Sequence, residues 1–188
     1  MNFPKLSLVL ALTLTAAVSS ARAADEKIWH VKAVHPDGKL IDIKALDKDG
    51  KISAVKAIES DGNVHLLDIK ALVGDKRLPV KVLPKASGDK YEPVKAIGED
   101  GAVYGIKAIT ADGEKLDVKG VKRTGSIIHI KAIAKDGSFY GVKAVSPEGR
   151  LYDIKGIKLS KDAVEGKVNG VEFAAHVKAL PPAPESAK

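Results

Sequence analysis

Leu40-Ile41-Asp42-Ile43-Lys44-Ala45-Leu46-Asp47-Lys48-Asp49-Gly50-Lys51-Ile52-Ser53-Ala54-Val55-Lys56-Ala57-Ile58 decides the fold. Two short runs rich in β-branched residues flank an Asp-Gly pair, which is the signature of two strands joined by a tight hairpin. If 47–50 form a type I turn with Gly50 in the left-handed region, the loop is the three-residue kind closed by a bulge. That register sets Leu46 opposite Ile52, Lys44 opposite Ala54, Ile43 opposite Val55 and Asp42 opposite Lys56. A four-residue loop would turn the apolar residues of one strand onto the lysine side of the next, because side chains alternate with period two.

The same phrase, a β-branched residue followed by Lys, a small residue and an aliphatic, recurs along the chain. Its lysines are Lys32, Lys44, Lys56, Lys70, Lys81, Lys95, Lys107, Lys119, Lys131, Lys143, Lys155 and Lys178, mostly 12 residues apart. Turn pairs separate them at Asp37-Gly38, Asp49-Gly50, Asp61-Gly62, Asp100-Gly101, Asp112-Gly113, Asp136-Gly137 and Glu148-Gly149. Repetition at a fixed period identifies a repeat architecture. The expectation is an all-β domain, an antiparallel meander of about 12–13 short strands, closed or rolled as a barrel, sandwich or propeller-like array. Residues such as Trp29, Val31, Ala33, Ile43, Ala45, Ile69 and Ile106 share one face, expected to be the core. The opposite face carries the motif lysine, with Asp42 expected between Lys32 and Lys56 in a charge checkerboard. A slower period divides the chain into four three-strand units beginning near Ile28, Asn63, Ala102 and Ser138. Asn169-Gly170 predicts a two-residue hairpin, with an extra strand near 164–168.

Residues 1–23 differ in kind. Lys5 precedes an apolar run from Leu6 to Val18, and Ala21-Arg22-Ala23 offers small residues at cleavage positions, as in a secretory signal peptide. The run is shorter than a membrane span requires, and no transmembrane segment is expected in the mature chain. The expected organisation is a signal peptide at 1–23, one β-repeat domain at 24–180 and a flexible tail at 181–188, exported to the periplasm or the extracellular space. Loss of Lys5 and Arg22 lowers the formal charge from +7 to +5.

The chain has no Cys and only 4% aromatic residues. Disulfide scaffolds and thiol nucleophiles are excluded, and stacking platforms for bases or sugars are disfavoured because aromatics are few and Trp29, Tyr104, Tyr140 and Tyr152 fall on the core face. No Gly-x-Ser-x-Gly elbow or phosphate-cradling glycine motif occurs, so no cofactor and no specific nucleic acid are expected. Asp47-Lys48-Asp49-Gly50 opens like a calcium loop but lacks the later ligands.

Two sets of residues remain. Lys44, Lys56, Lys107, Lys131, Lys143 and Lys155 form a row suited to an anionic polymer or envelope surface. His30, His129 and His176 each stand two residues before a motif lysine, and pairing of the first and last strands would bring His30 to His176; they are the candidates for a metal site or a small hydrolase-like activity. Adjacent lysines oppose a bound cation, so the binding or structural reading, without catalysis, is preferred.

The Ile-Lys-Ala-Ile and Asp-Val-Lys-Gly-Val phrases, the Asp-Gly turns and the closing Ala175-His176-Val177-Lys178-Ala179-Leu180-Pro181-Pro182 resemble a family of exported bacterial repeat domains of unknown function. The resemblance spans 28–182 and implies an exported location without implying an activity.

Overall fold

The computed structural model describes residues 27–60 and 63–182; the expected signal peptide and most of the expected tail lie outside them. Among the described residues every regular element is a strand: β1 (Ile28–Val34), β2 (Leu40–Leu46), β3 (Ile52–Ser60), β4 (Asn63–Val73), β5 (Lys76–Val82), β6 (Glu92–Ile97), β7 (Val103–Ile109), β8 (Lys115–Thr124), β9 (Ile127–Ile133), β10 (Phe139–Val145), β11 (Leu151–Ile157), β12 (Gly166–Val168), β13 (Val171–Phe173) and β14 (Ala175–Leu180). All pairings are antiparallel, and twelve strands form one sheet, with β12 and β13 a separate hairpin.

The turns follow the expected chemistry. Gly50 has φ 83°, its N–H donates to the Asp47 carbonyl at 3.2 Å, and Asp47 N–H reaches the Lys51 carbonyl. Positive φ at Asn169 (50°) and Gly170 (82°), with Val168 opposite Val171, makes the predicted two-residue hairpin. Next to its turn, β2 pairs with β3 as read: Leu46 faces Ile52 and Lys44 faces Ala54.

Beyond that point the strands part. The other half of β2 pairs with β1, where Lys32 faces Asp42, while β1 and β3 pair with each other at their far ends, where His30 faces Lys56. The three strands therefore form a triad in which each bonds to both others. The same mutual pairing joins β6, β7 and β8, and β9, β10 and β11. It also joins β4, β5 and the C-terminal strand β14. The second edge of every strand pairs with one strand of another triad: β1 with β10, β2 with β7, β3 with β4, β5 with β6, β8 with β9, and β11 with β14. Each pair of triads is thus joined once, which is the connectivity of a tetrahedron. The sheet closes, but as a branched network with three partners per strand.

Three expectations are corrected by this pairing. The units do not begin near Ala102 and Ser138: β14 takes the third place in the second triad, so the third and fourth triads start one strand earlier, at Glu92 and Ile127. Asp42 does not lie between Lys32 and Lys56, because its other edge faces Ile109 of β7. The first and last strands do not pair, since β1 bonds to β10 and β14 to β11.

The core lies on the expected face. The residue before each motif lysine, from Val31 and Ile43 to Ile154 and Val177, is Val or Ile in all twelve strands, and these residues surround a central space of about 10 Å³. That is about the least volume that holds one water, and the walls are wholly apolar. Branched side chains suit the centre because they hold one rotamer on a pleated surface. The residue after each lysine forms a second layer, and most are fully buried alanines such as Ala33, Ala45, Ala96 and Ala132. Trp29 is buried against Tyr152 at 4.6 Å between ring centres.

The alanine layer contains compensating exceptions. β5 carries Val82 and β11 carries Gly156 at the equivalent position, and a Cβ built on Gly156 would stand 2.9 Å from Val82 Cγ2 and 3.0 Å from Ile128 Cβ. Gly156→Ala, which brings the residue into line with the repeat, is therefore predicted to destabilise by about 1–3 kcal/mol through overpacking. Adding Val82→Ala should recover part of the loss, because the two sites share a contact. Urea unfolding of the two variants checks this, and a more stable Gly156→Ala protein would contradict the packing account.

Candidate functional site

Each triad brings its three motif lysines together on the outer face. The residue two before each lysine stands opposite the lysine of a neighbouring strand in the same triad, and in every triad one such residue is Asp. Asp42 accepts from Lys32 and, at 3.1 Å, from Lys44. Asp68 pairs with Lys178 and lies 3.7 Å from Lys70. Asp117 pairs with Lys107, and Asp153 pairs with Lys143 and, at 3.2 Å, with Lys155. Three ammonium groups around one carboxylate leave each triad with a net charge of two.

Apart from Lys119 in the third triad, one lysine in each triad makes no ion pair among the described residues. These are Lys56, Lys81, Lys95 and Lys131. Burial lowers the pKa of all four, with neighbouring triad lysines adding to the effect: Lys44 and Lys32 for Lys56, Lys119 and Lys107 for Lys95, Lys155 and Lys143 for Lys131. For Lys81 the burial is deeper, and with Lys178 and Lys70 nearby its pKa falls to about 8. Its Nζ donates to His176 Nδ1 at 2.7 Å and lies 4.6 Å from the centre of the Phe173 ring.

The triad carboxylates are also lowered, by the lysines rather than by burial. Asp42 is lowered chiefly by its hydrogen bond from Lys32. At Asp68, Asp117 and Asp153 burial alone would raise the pKa, but the lysine hydrogen bonds and charges together outweigh it.

A further constraint is invisible in any one hairpin. Across every join between triads the motif lysines stand opposite one another: Lys32 with Lys143, Lys44 with Lys107, Lys56 with Lys70, Lys81 with Lys95, Lys119 with Lys131 and Lys155 with Lys178. Directly opposed like charges disfavour strand pairing. Each triad Asp draws ammonium groups of its own triad toward itself and so relieves the repulsion across the joins.

Of the lysines singled out from sequence, Lys131, Lys143 and Lys155 make up the whole fourth triad, Lys44 and Lys56 belong to the first, and Lys107 to the third. The set misses the second triad, whose Lys70, Lys81 and Lys178 come from distant parts of the chain. His30, His129 and His176 fall in the first, fourth and second triads. They are not brought together, and among the described residues no group of three His, Asp or Glu side chains is placed to hold a metal ion. Each imidazole sits beside lysines that hold its pKa down: Lys56 foremost for His30, and burial followed by lysine charges for His129 and His176. Lys56 Nζ lies 3.0 Å from His30 Nδ1.

One buried polar group was not foreseen. Glu165, in the segment before β12, accepts from the backbone N–H groups of Leu159 and Ser160 through Oε1, while Oε2 lies 4.0 Å from the buried Lys158 ammonium. The segment inserted between β11 and β14 carries it together with the β12–β13 hairpin, and packs Phe173 against His176, which distinguishes the second triad from the other three.

The Lys81 shift has a stability consequence. The folded chain releases this proton near pH 8 while the unfolded chain keeps it to about 10.5, so the unfolded state binds more protons in between and stability rises with pH across that window. Lys81→Met should reduce the rise measured by denaturant unfolding at pH 7.5 and pH 10, and an unchanged rise would contradict the assignment. The triad carboxylates give a slope of the same sign in a lower window: their contribution is present above about pH 4 and fades as pH falls through their lowered folded-state values.

Comparison with known proteins adds the family. No curated protein and no solved structure matches the chain. Residues 25–180, which include all fourteen strands, match a family of unknown function, DUF7486, and the chain belongs to that family.

Proposed function

We propose that this protein is an exported, non-enzymatic β-repeat module that binds an anionic polymer, in the cell envelope or outside the cell, through its lysine triads. The observation that carries the reading is the composition of each triad: three ammonium groups gathered around a single carboxylate, with at least one half-buried lysine left without an acidic partner. A cluster of that kind attracts an anion more strongly than dispersed surface lysines, because part of the desolvation of its charges already belongs to the fold and the field of three cations adds. Distributed over four triads, the charge suits a long ligand that reaches more than one cluster and gains from multivalency.

Export rests on the sequence of residues 1–23, with its basic start, apolar run and small residues at the cleavage positions. The histidine-centred metal or hydrolase alternative draws no support from the placement of His30, His129 and His176 in separate triads.

The mature protein should be retained on heparin to higher salt than a Lys44→Ala, Lys56→Ala, Lys107→Ala, Lys143→Ala variant of matched circular dichroism. Equal elution would remove the polyanion reading. Expression with the native N-terminus should yield a processed chain starting near Ala24 in the exported fraction, as N-terminal sequencing can establish; an unprocessed chain kept in the cytoplasm would remove export.

A further inference from the structure

The fourth triad differs from the others in having an aromatic cleft beside its unpaired lysine. β8 pairs with β9 from Asp117 to Thr124, and a bulge between Gly120 and Lys122 adds Val121 to β8. Bulges bend a strand and re-aim the side chains that follow, and here Lys122 and Thr124 come to line the same cleft as His129 and Lys131. Its open end is formed by Tyr91, from the segment before β6, and Phe139, at the start of β10. The space measures about 660 Å³, within the usual range of small-ligand sites.

The chemistry of the walls is specific. No acidic side chain lines the cleft. Lys131 makes no ion pair among the described residues, and Lys122 adds a second cation. Burial and the charges of Lys155, Lys122 and Lys131 hold the His129 pKa down, which favours a neutral ring, and Thr124 Oγ1 lies 3.2 Å from its Nε2. Phe139 is 45% exposed; Leu40, Ile52, Val103 and Leu151 at the same repeat position are similarly exposed, but it alone of these is aromatic. Its centre lies 5.9 Å from that of Tyr91, with the ring planes at 83°. Two rings at right angles cannot sandwich a flat base. They do offer one open aromatic face, against which the C–H side of a sugar ring packs, next to cations placed for an anionic substituent.

We infer that the cleft between Tyr91, Phe139, Lys122 and Lys131 is a subsite for an acidic sugar, a pyranose unit bearing a carboxylate, within the anionic polymer. This rests on the polyanion reading above and narrows it to a polysaccharide: the pyranose lies on Phe139, its carboxylate meets Lys131 and Lys122, and Thr124 and His129 supply polar contacts to hydroxyl groups. The remaining triads then contribute charge, and this one contributes selectivity.

The test is a titration of the full mature chain with a trimer of 1,4-linked galacturonate, followed by amide NMR and calorimetry, beside a neutral galactose trimer, inorganic sulfate and a short oligothymidylate. The galacturonate trimer should shift the amide signals of Thr124, His129, Lys131 and Phe139, and Phe139→Ala and Lys131→Gln should each weaken it by about tenfold, the scale of one lost stacking or charge-assisted contact. Phe139→Leu, which keeps apolar bulk should the alanine variant unfold, should weaken it similarly. Equal affinity for the neutral trimer, for sulfate or for the oligonucleotide at the same signals would overturn the assignment, as would binding insensitive to the Phe139 variants. Heparin retention without any response to the galacturonate trimer would overturn the cleft alone. Failure of both would remove the polyanion reading with it.

Discussion

Every strand of the sheet must satisfy two edges of backbone hydrogen-bonding groups, and the architecture depends on how it does so. One edge is divided between two strands of the same triad, and the other is filled by a single strand of a different triad. Twelve strands linked in this way need no edge strand, so the exposed row of N–H and C=O groups that invites aggregation does not arise. The arrangement also explains why most strands are about seven residues long. A strand has to present half its length to each of two partners, and anything much shorter would leave one of them without a ladder.

Closure directs the pleat. With the network closed on itself, one side of every strand points to a common centre, and the Val or Ile before each lysine supplies it. The next layer outward is too crowded for anything larger than alanine in most strands, so an enlargement such as Val82 is matched by a reduction such as Gly156. The same geometry makes the outer face unavoidable: lysines one residue from the core layer must gather at the triads and must also oppose one another across the joins. An Asp in each triad answers the first consequence in part. The second is relieved only in part by the same Asp residues, and what is left is a repeated electrostatic cost at all six joins.

Much of this was legible along the chain. The Asp-Gly turns, the bulged three-residue loops, the Asn169-Gly170 hairpin and the division into core and lysine faces are local properties, set by the steric demands of positive φ and by the period-two alternation of strands. The candidate lysines were also visible, since the repeat marks them. Their grouping was not. Counting phrases in threes from the N-terminus assigns Lys95 to the second unit, whereas the triad there holds Lys178, brought in by β14 after the insertion that follows β11. The aromatic cleft was missed for a related reason: Tyr91 and Phe139 each stand four residues before a motif lysine, Lys95 and Lys143, and come from two triads whose meeting no single hairpin reveals.

The amino-acid sequence by itself determined the strands, their turns, their inward and outward faces and the recurrence of a lysine on one of them, because each depends on residues within one hairpin. Only the tertiary structure decided which lysines share an Asp, that three histidines equivalent in the repeat stay apart, and where a cationic face acquires an aromatic wall. Those outcomes depend on which far edge each strand meets, a choice made by closing the whole network at once. In a repeat whose units are nearly interchangeable, no local pattern distinguishes one partner from another.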